Sequence, residues 1–282
     1  MGRSNGRADR RRTCTGGNLM ATTGVAETVF ASSPPNQLFS LTDVYRIYGE
    51  GPVAVHALDG VSVDIQPGDL MGIIGPSGSG KSTLLGLLGC LDLPTRGSIK
   101  VSGTEVTELD DADRSKLRGD SIGFVFQQFH LIPHLTALGN VSTALLYRNM
   151  TKSERRDRAM AALTKVGLDE RHDHRPVQMS GGEQQRVAIA RAIVTDPLMI
   201  LADEPTGALD TKNATMVIEI FRSLRSEERA VVVVTHDLEI AEQMDRVVSM
   251  RDGKIIADNL KQERTESLQD QFWESGGGTK LE

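Results

Sequence analysis

Residues 75–83 read Gly-Pro-Ser-Gly-Ser-Gly-Lys-Ser-Thr, and their spacing is typical of a loop that binds phosphate. Glycines let the backbone wrap around an anion with its amide N–H groups pointing inward, and the N-terminus of a following helix adds partial positive charge. We expect Lys81 to reach the β- and γ-phosphates of a nucleotide and Ser82 to bind Mg²⁺. A glycine-rich structural turn is the alternative, but the apolar residues on either side fit the strand and helix that a phosphate loop requires. The other nucleotide contacts predicted in this phosphate loop are Gly75, Pro76, Ser77, Gly78, Ser79, Gly80 and Thr83.

Two adjacent carboxylates, Asp203 and Glu204, follow the apolar run 198–202. A buried strand that ends in acidic residues is the arrangement expected of a Walker B segment, in which an aspartate holds Mg²⁺. We therefore predict that Asp203 is a metal ligand, directly or through water, and that Glu204 is the general base toward the attacking water. An isolated Asp-Glu pair is more often solvated surface, but the apolar strand and the upstream phosphate loop favour the catalytic interpretation.

Residues 179–186, the signature segment, read Met-Ser-Gly-Gly-Glu-Gln-Gln-Arg. Ser180 and Glu183 have the spacing of a capping box, so the segment could simply begin a helix. A helix N-terminus with two glycines and a serine hydroxyl is also a site for an anion. The two interpretations are compatible, and together they predict a second phosphate-binding element.

The signature segment closely resembles the LSGGQ motif of ABC (ATP-binding cassette) proteins, with Met179 in place of leucine and Glu183 in place of glutamine. The first difference conserves volume, and the second is common in the family. The resemblance covers about residues 38–258, and it implies an ATPase that uses ATP and Mg²⁺, pairs with a second copy or a close paralogue, and drives a separate membrane-spanning permease. It also implies that Ser180, Gly181 and Gly182 close over the γ-phosphate of ATP bound to the opposing subunit.

Four further residues match ABC motifs by order and spacing, although each of them alone would more often be a packing residue. Tyr48 resembles the aromatic residue that stacks on adenine. Gln127 resembles the glutamine that senses Mg²⁺ and the attacking water and that links to a helical insertion. Asp210, at the end of Gly-Ala-Leu-Asp, resembles a residue that makes a contact across the dimer, and His236 resembles the histidine that contacts the γ-phosphate.

The elements that must position these residues follow from hydrophobic patterning. Alternating segments at 39–47 and 53–65 predict antiparallel strands, and apolar runs separated by helical segments predict a parallel sheet. The stretch 136–168 is predicted to be helical, with Thr151 and Glu154 in capping-box spacing and Gly167 as its terminator. The other predicted elements are strand 70–74, helix 84–91, a helix after Gly182, a strand that ends at Asp203, helix 211–226 and strand 231–234.

These elements, taken with the resemblance, predict an α/β protein with a P-loop NTPase (RecA-like) parallel-sheet core. An N-terminal antiparallel β subdomain and an inserted α-helical subdomain at about 127–179 complete the predicted cassette, which spans 38–258. Residues 1–37 are predicted to be a disordered leader, for which Met20 is an alternative start, and residues 259–282 a flexible tail.

Composition limits the class of partner. Lysine and arginine total 32 against 38 acidic residues, and a net charge of −6 gives no electrostatic footprint for nucleic acid. The two cysteines are far apart in sequence, which argues against a zinc site or a disulfide framework and fits a reducing cytoplasm. The apolar runs are too short to span a bilayer. We therefore expect a peripheral protein at the cytoplasmic face of a membrane, held there by its permease.

Residues 123–133, 202–207 and 251–254 resemble the branch of the ABC family that contains macrolide-exporter and lipoprotein-release ATPases. Three rival functions stay open. ABC cassettes also power DNA repair and translation factors, although usually with two cassettes, long coiled coils or zinc modules. A plain P-loop kinase or GTPase would use the signature segment only as a capped helix. A non-hydrolysing binding module would normally lose Lys81, Glu204 or His236.

Overall fold

The computed structural model describes residues 37–261, which form two sheets and a group of helices. The strands of this part of the chain are β1 Phe39–Tyr48, β2 Val55–Ile65, β3 Leu70–Ile74, β4 Arg96–Val101, β5 Thr104–Glu105, β6 Ile122–Phe126, β7 Met199–Asp203, β8 Ala230–Val234, β9 Arg246–Arg251 and β10 Lys254–Leu260. Its helices are α1 Lys81–Leu88, α2 Asp111–Ser121, α3 Ala137–Thr143, α4 Lys152–Lys165, α5 Gly181–Ile193, α6 Thr211–Leu224 and α7 Leu238–Ala241.

The larger sheet has the order β10-β9-β3-β8-β7-β6, and all of its pairs are parallel except that between β9 and β10. Strands β3 and β8 are buried along their whole length. Alternate residues of β3 enter different cores: Leu70 and Ile74 pack with the helices on one face, whereas Met71 and Ile73 pack with α1 and the smaller sheet on the other. Burial of both faces explains why these strands are continuous apolar runs. The predicted parallel α/β core is confirmed.

The smaller sheet has the order β2-β1-β4-β5 with antiparallel pairing, so the predicted N-terminal β subdomain is also confirmed. Strand β2 begins at Val55 rather than Val53, because residues 51–53, which include Pro52, form a short 3₁₀ turn. The register between β1 and β2 shifts between Leu41 and Val44, where Asp43 has φ of 49°. This irregularity marks a β-bulge, which bends the strand that carries it.

The helical insertion contains two helices rather than one continuous helical stretch. Thr136 and Thr151 cap the N-termini of α3 and α4, and residues 144–150 between the helices are not helical. The capping box of Thr151 with Glu154 is present as predicted, and Gly167 follows α4 with φ of 69°. Buried residues of α3, α4 and α5 belong to one hydrophobic core, so the insertion packs directly against the helix that carries the signature segment.

Several predicted boundaries differ from the structure. Helix α1 begins at Lys81 and ends at Leu88, because its first turn is polar and Cys90 adopts φ of 51° beyond its end. Strand β10 continues to Leu260, two residues past the predicted end of the cassette. The predicted leader, apart from residue 37, and nearly all of the predicted tail lie outside the described residues. Within residues 37–261, no helix is both long and apolar enough to cross a membrane.

Candidate active site

The parallel strands bring the candidate residues to one edge of the larger sheet. Asp203 is in register with Phe126 on one neighbouring strand and with Val234 on the other. The residues that come next along these three strands, Glu204, Gln127 and Thr235, therefore leave the sheet together. The phosphate loop follows β3, which pairs with β8. Ligands of open α/β sheets bind outside the carboxyl ends of the strands, and this edge is such a position.

The conformation of the phosphate loop requires glycine at two positions. A Cβ atom at Gly75 would lie 2.3 Å from the Met250 carbonyl oxygen, and one at Gly80 would lie 2.5 Å from the Ala57 carbonyl oxygen. Both residues also have positive φ. Lys81, the first residue of α1, folds back over the loop and donates from Nζ to the carbonyl oxygens of Gly75, at 2.7 Å, and Pro76, at 2.9 Å. The lysine ammonium group is thereby fixed above the loop.

A cavity of about 500 Å³ lies beside the phosphate loop. Its walls contain most of the residues predicted for nucleotide and metal binding and for catalysis: Ser77, Gly78, Gly80, Lys81, Ser82, Thr83, Gln127, Asp203 and Glu204. Residues 55–57 of β2 form another wall, which the sequence did not predict, together with Val234. The structure thus brings the phosphate loop and both carboxylates into one space.

Burial alters the charges in this cavity. It lowers the pKa of Lys81, although the carboxylates of Glu204 and Asp203 oppose that shift. Burial also raises the pKa of Asp203, and the neighbouring charge of Glu204 raises it further, whereas Lys81 lowers it. The cavity therefore concentrates two acidic side chains and a lysine in a partly desolvated space, where electrostatic interactions are stronger than in bulk water.

The side chain of Glu204 is held by the segment that follows β8. His236 donates to its Oε1 from the backbone N–H, at 3.0 Å, and from Nδ1, at 2.7 Å, in the tautomer with a proton on that nitrogen. Thr235 Oγ1 donates to Oε2 at 3.3 Å. Glu204 also has φ of 45°, a left-handed conformation that is uncommon for a non-glycine residue and that occurs often at functional sites. Thr235 was not predicted, and its only sequence signal is its position next to His236.

Three predicted members of the phosphate loop do not line the cavity. Gly75 and Pro76 contribute the carbonyl oxygens that hold Lys81. Ser79 is only 2 % exposed, and within the described residues its Oγ has no hydrogen-bond partner. Its backbone N–H donates to the Pro76 carbonyl, and its own carbonyl accepts from the N–H of Gly253. These residues thus act on the shape of the loop.

Tyr48 does not line the cavity itself, although it pairs across the sheet with Val55, which does. Its hydroxyl donates to Asp92 Oδ2 at 3.0 Å, and the guanidinium of Arg46 lies 4.5 Å from the centre of its ring. The side chain is 42 % exposed. Stacking on a base stays a prediction for this residue, whereas residues 55–57 lie at the cavity itself.

The signature segment forms the N-terminus of α5, outside the cavity of the same copy. Ser180 Oγ accepts from the N–H of Glu183 at 3.3 Å, and Glu183 Oε2 accepts from the N–H of Ser180 at 2.8 Å. A Cβ atom at Gly182 would lie 2.2 Å from the Asn213 side chain, so a larger residue there would displace that side chain. Asp210 accepts from the N–H of Asn213 and thereby caps α6 beside the signature segment.

Gln185, a buried residue of the signature helix α5 that was not predicted from the sequence, connects this helix to the residues around the cavity. Gln185 Nε2 donates to the carbonyl oxygen of Pro205 at 2.7 Å and to that of Phe126 at 3.4 Å. Pro205 directly follows Glu204, and Phe126 directly precedes Gln127. A polar residue inside the apolar face of a helix is a signal that could have identified Gln185, but its partners could not be read from the sequence.

The fold and site define a nucleotide-binding cassette, and comparison with known proteins gives its family. The family model described as ABC transporter matches residues 58–207. An uncharacterised ABC transporter ATP-binding protein of Thermotoga maritima is 50% identical over 219 residues, which are 78% of this chain and 94% of that protein. The macrolide export ATP-binding/permease protein MacB of Hahella chejuensis is 46% identical over 223 residues, which are 79% of this chain and 34% of that protein.

The chain is also similar in structure to the ATP-binding cassette MJ0796, solved as a dimer in a post-hydrolysis state bound to ADP and Pi. The TM-score is 0.72 at 44% identity, and the match covers 79% of this chain and 98% of that one. The chain belongs to the ABC transporter family. It is an ATP-binding subunit that hydrolyses ATP, as its resemblance implied.

Proposed function

We propose that two copies of the chain bind two ATP molecules head to tail, each between the phosphate loop of one copy and the signature segment of the other. The observation that carries this proposal is the separation of the two elements: Ser180–Gly182 do not line the cavity formed by the phosphate loop of their own copy. A second copy supplies the missing half. The MJ0796 cassette, solved as a dimer bound to ADP and Pi, supports the pairing of two copies.

Within this sandwich each candidate residue has a role that its contacts support. Lys81 turns from the loop carbonyls toward the β- and γ-phosphates, and Glu204 accepts a proton from the attacking water. His236, which touches Glu204 through Nδ1, contacts the γ-phosphate. Asp210 lies at the dimer contact. ATP bridges the two copies, so closure follows from its tighter binding to the closed state, and hydrolysis opens the dimer again.

The residues around the cavity fit a magnesium ion. The described residues contain no cluster of three or more His, Cys, Asp or Glu side chains that could hold a metal by themselves. Mg²⁺ commonly binds through one or two carboxylates together with substrate phosphates, and Ser82, Gln127 and Asp203 offer a hydroxyl, an amide and a carboxylate at the cavity. When bound, the ion would neutralise negative charge on the phosphates.

An apolar surface beside the helical insertion supports the proposed permease contact. A cavity of about 330 Å³ lies between the sheet edge at Phe124 and Phe126 and the end of α3 at Ala144. Close to it in sequence, Leu146 and Tyr147 are exposed, the latter completely. Apolar side chains grouped in this way are typical of protein interfaces. Docking here would hold the chain peripherally at the cytoplasmic face of the membrane.

We propose an export system of the macrolide-exporter or lipoprotein-release type; the MacB relatives support the first, and the second rests on the sequence resemblance alone. MacB proteins carry an ATP-binding part and a permease in one chain, and this chain spans only about a third of the length of the MacB relative. The remaining two thirds correspond to what we propose is a separate permease. The functional pair of ATPases would be two copies of this chain or this chain with a close paralogue.

The variant Glu204→Gln tests the proposal. It removes the general base and keeps the shape of the side chain, so the ATPase rate should fall by about 10²–10⁴-fold. ATP should still bind, and ATP with Mg²⁺ should convert the variant to a stable dimer that gel filtration detects. Glu239→Gln, which alters an exposed carboxylate of α7, should keep the parent rate. An unimpaired rate in Glu204→Gln would refute the assignment of the base, and a variant that binds ATP as a monomer would refute the sandwich.

A further inference from the structure

The signature segment carries a negative charge at the position where the proposed function needs to bind a phosphate. Glu183 lies in the first turn of α5, and its side chain is mostly buried, with 16% exposed. An acidic residue in the first turn stabilises a helix through the helix dipole. The same charge repels an anion that approaches this N-terminus. The negative charge of Glu183 therefore weakens phosphate binding at this N-terminus unless a nearby positive charge offsets it.

Arg171 supplies a positive charge to this carboxylate. Its Nε donates to Glu183 Oε1 at 3.1 Å, while Glu183 Oε2 accepts from the N–H of Ser180. These hydrogen bonds hold the pKa of Glu183 below its ordinary value, with the Ser180 N–H as the largest cause. The carboxylate is therefore ionised at neutral pH. A cation is then required to neutralise it.

The guanidinium of Arg171 is itself fixed in position. Its Nη1 donates to His174 Nε2 at 2.9 Å, and His174 Nδ1 donates to Asp173 Oδ1 at 2.9 Å in the tautomer this requires. The resulting chain of contacts runs from the loop before α5 to the first turn of the helix. The Arg171 side chain is 48% exposed, so it remains in contact with solvent while it pairs with Glu183.

Other charges near Glu183 do not replace Arg171. Arg186, one turn further along α5, donates from Nη1 to the sulfur of Met216, and it acts on Glu183 only through its charge. Asp210, which caps α6 beside the signature segment, adds a second negative charge. Among the described residues, the ion pair of Glu183 is with Arg171.

We infer that Arg171 is a positioning residue for ATP binding between two copies: it neutralises Glu183 so that the N-terminus of α5 can accept the phosphate held by the other copy. This inference rests on the proposed sandwich. The neutralisation by Arg171 explains how the signature segment can contain a charged residue, Glu183, rather than a neutral one. The capping box keeps its acid, and Arg171 removes the repulsion that the acid would cause.

The experiment measures ATP-dependent dimerisation by sedimentation in the full chain that carries Glu204→Gln. Adding Arg171→Gln removes the charge and leaves an amide. Loss of the charge should weaken pairing about threefold per site and the dimer about tenfold, because each dimer has two such sites. Arg171→Lys should stay close to the parent. The deficit of Arg171→Gln should shrink at about 1 M salt, where charges are screened.

The decisive variant combines Arg171→Gln with Glu183→Gln. A glutamine at 183 can still accept from the Ser180 N–H, and it carries no charge, so the double variant should recover the dimer affinity of the parent. If Arg171 has only a structural role, the double variant should stay impaired, because the contact between the two residues is still altered. Persistent impairment, or a normal dimer in Arg171→Gln alone, would overturn the inference.

Two controls separate a specific effect of Arg171 from the general loss of an ion pair and from failure of the sandwich itself. Arg222→Gln removes the ion pair with Glu219 in α6 and the hydrogen bond to the Gln243 carbonyl, neither of which involves the signature segment, and should not change dimerisation. The parent with Glu204→Gln alone must dimerise on ATP. If it does not, the sandwich itself is refuted and the inference with it, whereas a dimer that is insensitive to Arg171→Gln refutes only the role of Arg171.

Discussion

The phosphate loop and the signature segment both present a helix N-terminus, but the chain builds the two in different ways. Helix α1 follows Gly80, which has φ of 99°; no side chain caps this helix, and its first turn contains no acidic residue. Helix α5 follows Ser180 and has a complete capping box with Glu183. The first N-terminus relies on backbone conformation, whereas the second satisfies its own N–H groups through side chains.

The surroundings of the phosphate loop and of the signature segment also differ. The phosphate loop lies in a cavity whose walls come from distant parts of the chain, and burial shifts the pKa values of Lys81 and Asp203. Ser180 is exposed, and its contacts are local. We expect the loop to determine how tightly one copy binds ATP, and the signature segment to determine how well two copies pair around it.

The largest expected effect comes from the loop. Replacing Lys81 with alanine should weaken the binding of Mg-ATP to a single copy by at least about 100-fold. The lysine would lose charge-assisted hydrogen bonds to the β- and γ-phosphates, each worth about 1.5–3 kcal/mol. Isothermal titration calorimetry measures this affinity. Lys254→Ala, which removes an exposed lysine paired with Asp59, should bind ATP as the parent does. An affinity within threefold of the parent in Lys81→Ala would contradict the assignment of the loop.

A smaller effect is expected at Gln185, which connects the signature helix to the residues around the cavity. Gln185→Leu removes the donor to the buried carbonyl of Pro205, and an unsatisfied buried group costs about 1–3 kcal/mol of unfolding free energy. The ATPase rate should fall as well, because Pro205 follows Glu204. Urea denaturation and a steady-state assay measure the two quantities.

Gln184→Leu is the matched control for that change. Gln184 donates to the Met179 carbonyl at 3.1 Å from a partly exposed position, so its loss should cost less than about 1 kcal/mol. Equal destabilisation by the two leucine variants would show that the buried position of Gln185 has no special importance.

The sequence predicted those parts of the site whose signals are local. The phosphate loop, the carboxylates at the end of β7 and the capping boxes of Thr151 and Ser180 each depend on residues that lie within a few positions of one another. Glycine and capping residues act on the backbone where they occur, so their effects can be read without tertiary structure. The boundaries of α1 were less accurate, because the apolar pattern begins only after its polar first turn.

Contacts between distant segments could not be predicted in this way. The hydrogen bonds of Thr235 and His236 to Glu204 depend on the register between β7 and β8. The position of Tyr48 against Asp92 depends on how the smaller sheet packs. Arg171 and Glu183 meet only because a loop folds back onto α5. Hydrophobic periodicity specifies which residues are buried, but many arrangements of the elements satisfy the same pattern.

The smallest expected effect separates the stability of a capping box from its role in pairing. Among the α-helices of the described residues, α5 and α4 have such boxes with matching geometry: Ser180 and Thr151 each accept from the N–H three residues later at 3.3 Å. Ser180→Ala and Thr151→Ala should each lower the unfolding free energy by about 1 kcal/mol. Neither should change the affinity of a single copy for ATP, because neither residue lines the cavity.

Only Ser180→Ala should weaken the ATP-dependent dimer, by about threefold to tenfold, when both variants are made in the Glu204→Gln background and compared by sedimentation. The reason is that the Ser180 hydroxyl would meet the phosphate of the opposing copy, whereas Thr151 lies at the start of a helix that the proposed sandwich does not use. Equal weakening of the dimer by the two alanine variants would mean that pairing depends on helix stability alone, and the signature segment would then have no direct contact with ATP.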